Sequence, residues 1–319
     1  MEYEETGWTK ISDESMAAYL NSLHSFDMTI CEALAVGSGC ANRFAMPHVG
    51  YGSFLFSQAC SRGVCLIRAA PRSRWKTAGF DNWDFGAAAP FVRSLGEAFL
   101  AQVYLMRPSS DEREYSARIT TMQLHDCTKR LELFRAINHK DARSFERDQE
   151  MLKERLRLNP FFLSLAVKAQ KEILKGEKPW MMTRDQLLSA AGVHPLVYNV
   201  TWTLYSQFIH TLPMSFMRAE LQGRGSGLEN EVDCGQWNVA LKVATDLLER
   251  AVILMVDAFP DTAVLRRGIQ SRFSPGPSEN AYPVPDPIFS RDDDQNLAKK
   301  SALAKNLASF MHVMMHNQE

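Results

Sequence analysis

At 319 residues the chain is long enough for one large domain or two modest ones, each with a sizeable core. An apolar fraction of 45% with 23% charged residues excludes disorder as the dominant state. The 36 basic and 37 acidic side chains leave a net charge of −1, which excludes a global field drawing in nucleic acid or an anionic membrane and leaves only local patches.

Helical periodicity runs along the chain, and alternating β-branched stretches are few. Asp13 to Val36 is a first amphipathic helix, stopped by Gly37-Ser-Gly39. A second covers Tyr51 to Ala69 and ends at Pro71 and the basic turn Arg72 to Lys76. The connection Gly79 to Gly86 leads into Phe91 to Met106, closed by Pro108. Ser110 is placed to cap the next helix, which runs to about Asn138. Asp141 to Arg157 is strongly charged and reads as a solvent-facing helix, and Asn159-Pro160 restarts the chain into Phe161 to Lys175.

Thr183 and Gln186 have the spacing of a capping box, and Gly192 is placed to end that helix. Pro195 opens a nearly uncharged helix that Pro213 ends. Gly223 to Gly235 reads as an exposed loop. Trp237 to Phe259 carries Trp237, Leu241, Ala244, Leu248 and Ala251 on one face. Ser274 to Pro287 holds five prolines and reads as an extended strap, after which Asp292 to His316 is a last helix with Asp292 and Asp294 at its positive end.

The expected fold is all-α. It consists of an N-terminal helical region over 1–86, a central helical bundle over 87–273, and the proline-rich linker with its C-terminal helix over 274–319.

Six cysteines lack any C-x-x-C pair and read as reduced, mostly buried thiols. The acidic N-terminus, unlike the basic and then apolar start of a secretory signal, points to a cytoplasmic location. Val193 to Met217 lacks Asp, Glu, Lys and Arg, but His194, Asn199, Gln207 and two prolines make it too polar and interrupted to span a membrane. No membrane partner and no cofactor is expected.

The polar residues inside the apolar helices are the candidate site. Arg93 and Glu97 lie four apart and share a helix face, where they can pair. An exposed pair in this order would contribute only about 0.3 kcal/mol, so ordering a core or a polar cluster is the stronger reason for it. Ser206 and His210 share a face of the later helix, and a histidine near its titration point can move protons at neutral pH. Ser206 lacks the Gly-x-Ser-x-Gly elbow of a nucleophilic serine.

His312 and His316 have the spacing of a helical metal pair but lack the Glu of the zinc hydrolases, so no metal is expected. The turn Arg72 to Lys76, with Trp75 among its basic residues, could touch a phosphate backbone.

Arg93-Ser94-Leu95-Gly96-Glu97, followed much later by Leu204-Tyr205-Ser206-Gln207-Phe208-Ile209-His210, resembles a family of uncharacterised bacterial helical proteins with an R-S-x-x-E helix and an S-x-x-x-H helix. The resemblance covers about positions 90 to 215, with Trp202 where that family is expected to carry a tyrosine.

The helical layout also looks like the broad HEPN class. That likeness implies a metal-independent ribonuclease of bacterial defence or stress, using an Arg followed by four to six residues and a His. Arg43 to His48 has that spacing but holds Pro47. Arg118 to His125 places both groups on one helix face, where Arg could stabilise phosphate charge while His transfers a proton.

The leading expectation is therefore a cytoplasmic bacterial protein that cleaves or binds RNA. Arg93, Glu97 and His210 would form its polar cluster, with Arg118 and His125 as the rival pair. The alternative is a non-catalytic helical interaction or assembly module with a protein partner or as a homodimer. An acid/base hydrolase using Glu97 and His210 is third.

Overall fold

The computed structural model describes residues 10–76, 79–217 and 223–271. These form α-helices joined by turns and short 3-10 segments, with no strand among the described residues, so the all-α expectation holds. The proline strap, the C-terminal helix and the pair His312 and His316 lie outside the described residues.

Helix α1 spans Asp13–Cys40, with the Ser12 side chain accepting from the Ser15 N–H and Asp13 and Glu14 in the first turn. It runs through Gly37 and Gly39 instead of stopping there. A Cβ at Gly37 would touch Phe56, and one at Gly39 would crowd Leu265 and Thr262, so both glycines admit a close neighbour.

Helix α2 spans Pro47–Ala69 and begins four residues ahead of the expected start, with Pro47 in the first turn where its missing donor costs nothing. Helix α3 is Ala89–Met106. Helix α4, Glu112–Ala136, is capped by Asp111, not Ser110: the aspartate accepts from the Arg113 N–H at 2.9 Å. Helix α5, Ala142–Arg157, buries only Leu152 and Leu156.

The segment expected as one helix from Phe161 divides into α6, Pro160–Ser164, and α7, Val167–Leu174. Gln170 donates to the carbonyls of Leu163 and Leu165 at 3.0 and 2.8 Å, which satisfies the chain at the break. Helix α8, Arg184–Ala190, has the expected capping box, and Gly192 takes a left-handed φ of 64° beyond its end. Helix α9 is Pro195–Ile209, and α10 is the single turn Pro213–Phe216. Helix α11, Glu231–Ala258, starts inside the stretch expected as a loop, because the Asn230 side chain accepts from the Asp233 N–H and nucleates it there.

The chain forms two compact units. Unit 1 holds the described residues of Met1–Asn42, Phe56–Phe99 and His194–Glu319, and unit 2 holds Arg43–Leu55 and Leu100–Val193. Each is assembled from separated stretches of chain. In unit 1, α1 packs along α11. Tyr19, Leu23, Phe26 and Ile30 are fully buried, as are all five residues of the apolar α11 face. In unit 2, α4 packs on α5 and α6, around Ala117, Leu124, Leu156, Phe162 and Ile173.

Candidate functional site

In unit 1 the polar residues of α3 meet α9. Arg93 Nη1 donates to Ser206 Oγ at 2.7 Å, and that hydroxyl in turn donates to the Trp202 carbonyl at 2.6 Å. Glu97 Oε1 accepts from Tyr198 Oη at 3.1 Å and from Trp202 Nε1 at 2.9 Å. Arg93 and Glu97 thus turn to different partners on α9, although they share a face of α3.

The indole and phenol of Trp202 and Tyr198 stack with centroids 4.0 Å apart, which presents both donors to one carboxylate oxygen. Tyr198 comes from the first turns of α9, and its role is invisible to the spacing Ser206 to His210. Beside this seam, the Arg62 guanidinium donates to Ser94. The whole arrangement ties α3 to α9 through charge-assisted bonds.

His210 stands at the end of α9. Its backbone N–H donates to the carbonyls of Ser206 and Phe208, and its side chain is exposed. The sequence-expected trio is therefore split: Arg93 and Glu97 enter the α9 seam, while His210 caps the helix at its surface.

In unit 2, Arg118 is fully buried. Its Nε and Nη2 form a fork on Glu114 Oε1 at 3.1 and 2.7 Å, and Nη1 donates to the Arg107 carbonyl at 2.7 Å. Arg107 and Ser109 also donate to the Glu114 carboxylate. Burial works against ionisation of Glu114, but Ser109, Arg118 and Arg107 outweigh it and hold its carboxyl below the usual range.

His125 takes a separate partner, with Nδ1 3.0 Å from the Gly176 carbonyl. This fixes the tautomer with the proton on Nδ1 and leaves Nε2 as the basic atom. The helix spacing of Arg118 and His125 does not bring them to a shared reactant, because one is enclosed by α4 and the loop before it while the other is anchored to Gly176.

His48 stacks on Tyr115 with centroids 3.8 Å apart, and Arg118 lies 5.0 Å from the same phenol ring. Burial, and then the charge of Arg118, pushes the His48 imidazole below its ordinary titration range. Its spacing partner Arg43 is exposed and precedes α2.

Of the basic turn offered to phosphate, Arg74 is directed inward while Arg72 is exposed. Arg74 forms a buried ion pair with Asp27, whose Oδ1 also accepts from Trp75 Nε1 at 2.7 Å. Arg72 pairs with Glu229, and Lys76 with Asp81. Asp27 gave no sequence signal beyond a lone carboxylate on an apolar helix face.

Unit 2 also has an open cleft of about 690 Å³, with Phe161, Leu165, Met181 and Met182 among its apolar lining and Arg107, Glu114 and Asp185 among its charged residues. Unit 1 has a far smaller cavity of about 10 Å³, lined by Phe85, Thr201, Tyr205 and Gln236 with three aliphatic residues. Neither includes Arg93, Glu97 or His210. All six cysteines are thiols outside any disulfide, and Cys65 is the exposed one among them. Among the described residues, no helix is long and apolar enough to cross a membrane.

Compared with protein-family models, curated proteins and solved structures, the chain matches none.

Proposed function

We propose that this chain is a non-catalytic helical module that binds a protein partner, or a second copy of itself, through the cleft of unit 2. The observation that carries this is the enclosure of Arg118: its guanidinium bonds to Glu114 and a backbone carbonyl and has no exposed surface. A metal-independent ribonuclease built on Arg118 and His125 needs a guanidinium that can meet a phosphate. Arg93 is likewise engaged with Ser206, and Glu97 with two donors of α9, which suits polar groups that set helix packing.

The cleft has the size of a ligand site. Its methionines adapt to varied apolar side chains, while Arg107 and Asp185 supply charges of both signs for orientation.

The test is RNA degradation by purified protein in the presence of a chelator, with His125→Ala and His210→Ala alongside the parent chain. Equal background in all three is expected. Chelator-resistant cleavage that disappears in either variant would overturn the proposal in favour of an RNA-cleaving enzyme of HEPN-like type, acting in bacterial defence or stress.

A further inference from the structure

We propose that Asp233 is a proton-operated latch: with a proton on Oδ1 it clasps the loop 223–229 to the start of α11, and giving that proton up lets the loop open. Asp233 stands in the first turn of α11 and is 1% exposed. Its Oδ2 accepts from the Gly225 N–H and from Asn230 Nδ2, both at 2.8 Å. Asn230, fully buried, answers by accepting the Asp233 N–H at 2.8 Å, and its amide also donates to the Leu228 carbonyl at 3.0 Å. Outside this clasp the loop is fastened to the segment before α3, where the Trp83 N–H donates to the Gly227 carbonyl at 3.0 Å.

The two oxygens of Asp233 are treated unequally. Oδ2 has two donors, whereas Oδ1 is buried and has none among the described residues. An ionised carboxylate spreads its charge over both oxygens and draws donors to each, while a neutral carboxyl has one accepting oxygen and one hydroxyl. The bonding of Asp233 is that of the neutral acid, with the hydroxyl at Oδ1, and a buried hydroxyl costs far less than a buried charge. Two neighbouring segments bring charges to it, Asp84 from the stretch before α3 and Arg224 from the loop itself. Burial first, and then Asp84, holds the carboxyl above its ordinary titration range, against the bonds from Asn230 and Gly225 and the charge of Arg224. The nearby carboxylates are engaged elsewhere, Glu231 with Ser12 and Ser15, and Glu229 with Arg72.

An opened loop returns the carboxyl to water, where an aspartate titrates near about 3.9. The closed form keeps its proton to a higher pH. Closure is therefore fully favoured below about 3.9 and loses this contribution as the pH rises through the closed-form value. The loop also carries Arg224, whose Nη2 donates to the carbonyls of Met214 and Met217 at 3.3 and 3.2 Å. Opening withdraws that guanidinium from α10, where Met214, Phe216 and the adjoining Met217 form an exposed apolar turn. The proton on Asp233 thus sets how firmly this turn is held.

Amide hydrogen exchange across the loop 223–229, followed from pH 4 to 8 and referred to the intrinsic rate at each pH, tests the latch in the full chain. Asp233→Asn is measured alongside, since it keeps an accepting oxygen for both donors but cannot ionise. Loop protection in the parent chain is expected to fall with rising pH, by up to about tenfold per unit for a single proton, and to stay level in the variant. Equal pH dependence in the two chains, or protection in the parent that grows with pH, overturns the proposal. Carbon-13 NMR of the Asp233 side-chain carboxyl in the parent chain needs no variant. A titration midpoint above about 3.9 is expected, and one at or below it overturns the proposal. Repeating the exchange at pH 7 with calcium or magnesium separates the remaining alternative: loop protection gained with the metal and absent in Asp233→Asn would give Oδ1 to a cation instead of a proton, which also overturns it.

Discussion

Gly96 on α3 and Trp202 on α9 stand so close that a Cβ at position 96 would overlap the indole ring. Position 96 is helical, so the glycine is required here by contact, not by a left-handed backbone. Gly96→Ala would normally favour a helix by close to 1 kcal/mol. Here it is expected to destabilise by about 1–3 kcal/mol, because the rigid indole must move and drag its bond to Glu97 with it. Urea denaturation of the variant beside the parent chain measures this, and a gain in stability would show that the two helices can separate at no cost.

Glu97 tests whether its charge or its acceptor oxygen matters. Glu97→Gln keeps an acceptor for Tyr198 and Trp202 and is expected to cost under about 1 kcal/mol. Glu97→Leu removes the acceptor shared by both donors and is expected to cost about 1–3 kcal/mol. Equal losses in the two variants would point to the carboxylate charge as the element that holds α9.

Arg118→Met removes the buried partner of Glu114 and is expected to destabilise by about 3–5 kcal/mol. The double variant Arg118→Met with Glu114→Leu should recover part of that loss, since no buried carboxylate is then left short of a partner. The same group sets an acid limit. The folded carboxyl of Glu114 titrates below its unfolded value of about 4.3, so its contribution is full above that pH and is lost as the pH falls through the folded value. A double variant no more stable than the single one would refute this account of the pair.

His48 gives the same sign in a higher pH range. Burial and the nearby Arg118 favour the neutral imidazole in the folded chain, whereas the unfolded chain takes up a proton near pH 6.5. Below that pH the unfolded state binds more protons, so stability declines from about 6.5 down to the folded value and is unaffected by this group above it. Denaturation midpoints between pH 5 and 8 should fall less steeply on acidification in His48→Phe, which retains an aromatic ring for the stack on Tyr115. Parallel slopes would assign the decline to other groups.

Much of the helical layout could be read along the chain, since helix ends are written in neighbouring residues. The Thr183 and Gln186 capping box, the Asn159-Pro160 start and the left-handed Gly192 each act within a few positions. The α11 face from Trp237 to Ala251 was equally legible, because burial of one stripe requires a periodic pattern. Arg93 and Glu97 stood out as polar groups on an apolar helix that needed answering.

Which groups answer them was decided only when the chain closed on itself. Ser206 lies 113 positions from Arg93, and Trp202 lies 105 from Glu97. Spacing on one helix carries no information about a partner on another. For the same reason Gly37 and Gly39 resemble stop signals yet serve as contact points inside α1, and the Arg72 to Lys76 turn resembles a phosphate patch although Arg74 is sealed against Asp27. Local rules set where helices begin and end. The burial of Arg118 and the close fit of Gly96 against Trp202 arise from distant segments competing for the same space, and a free energy of packing has no signature in any single stretch of residues.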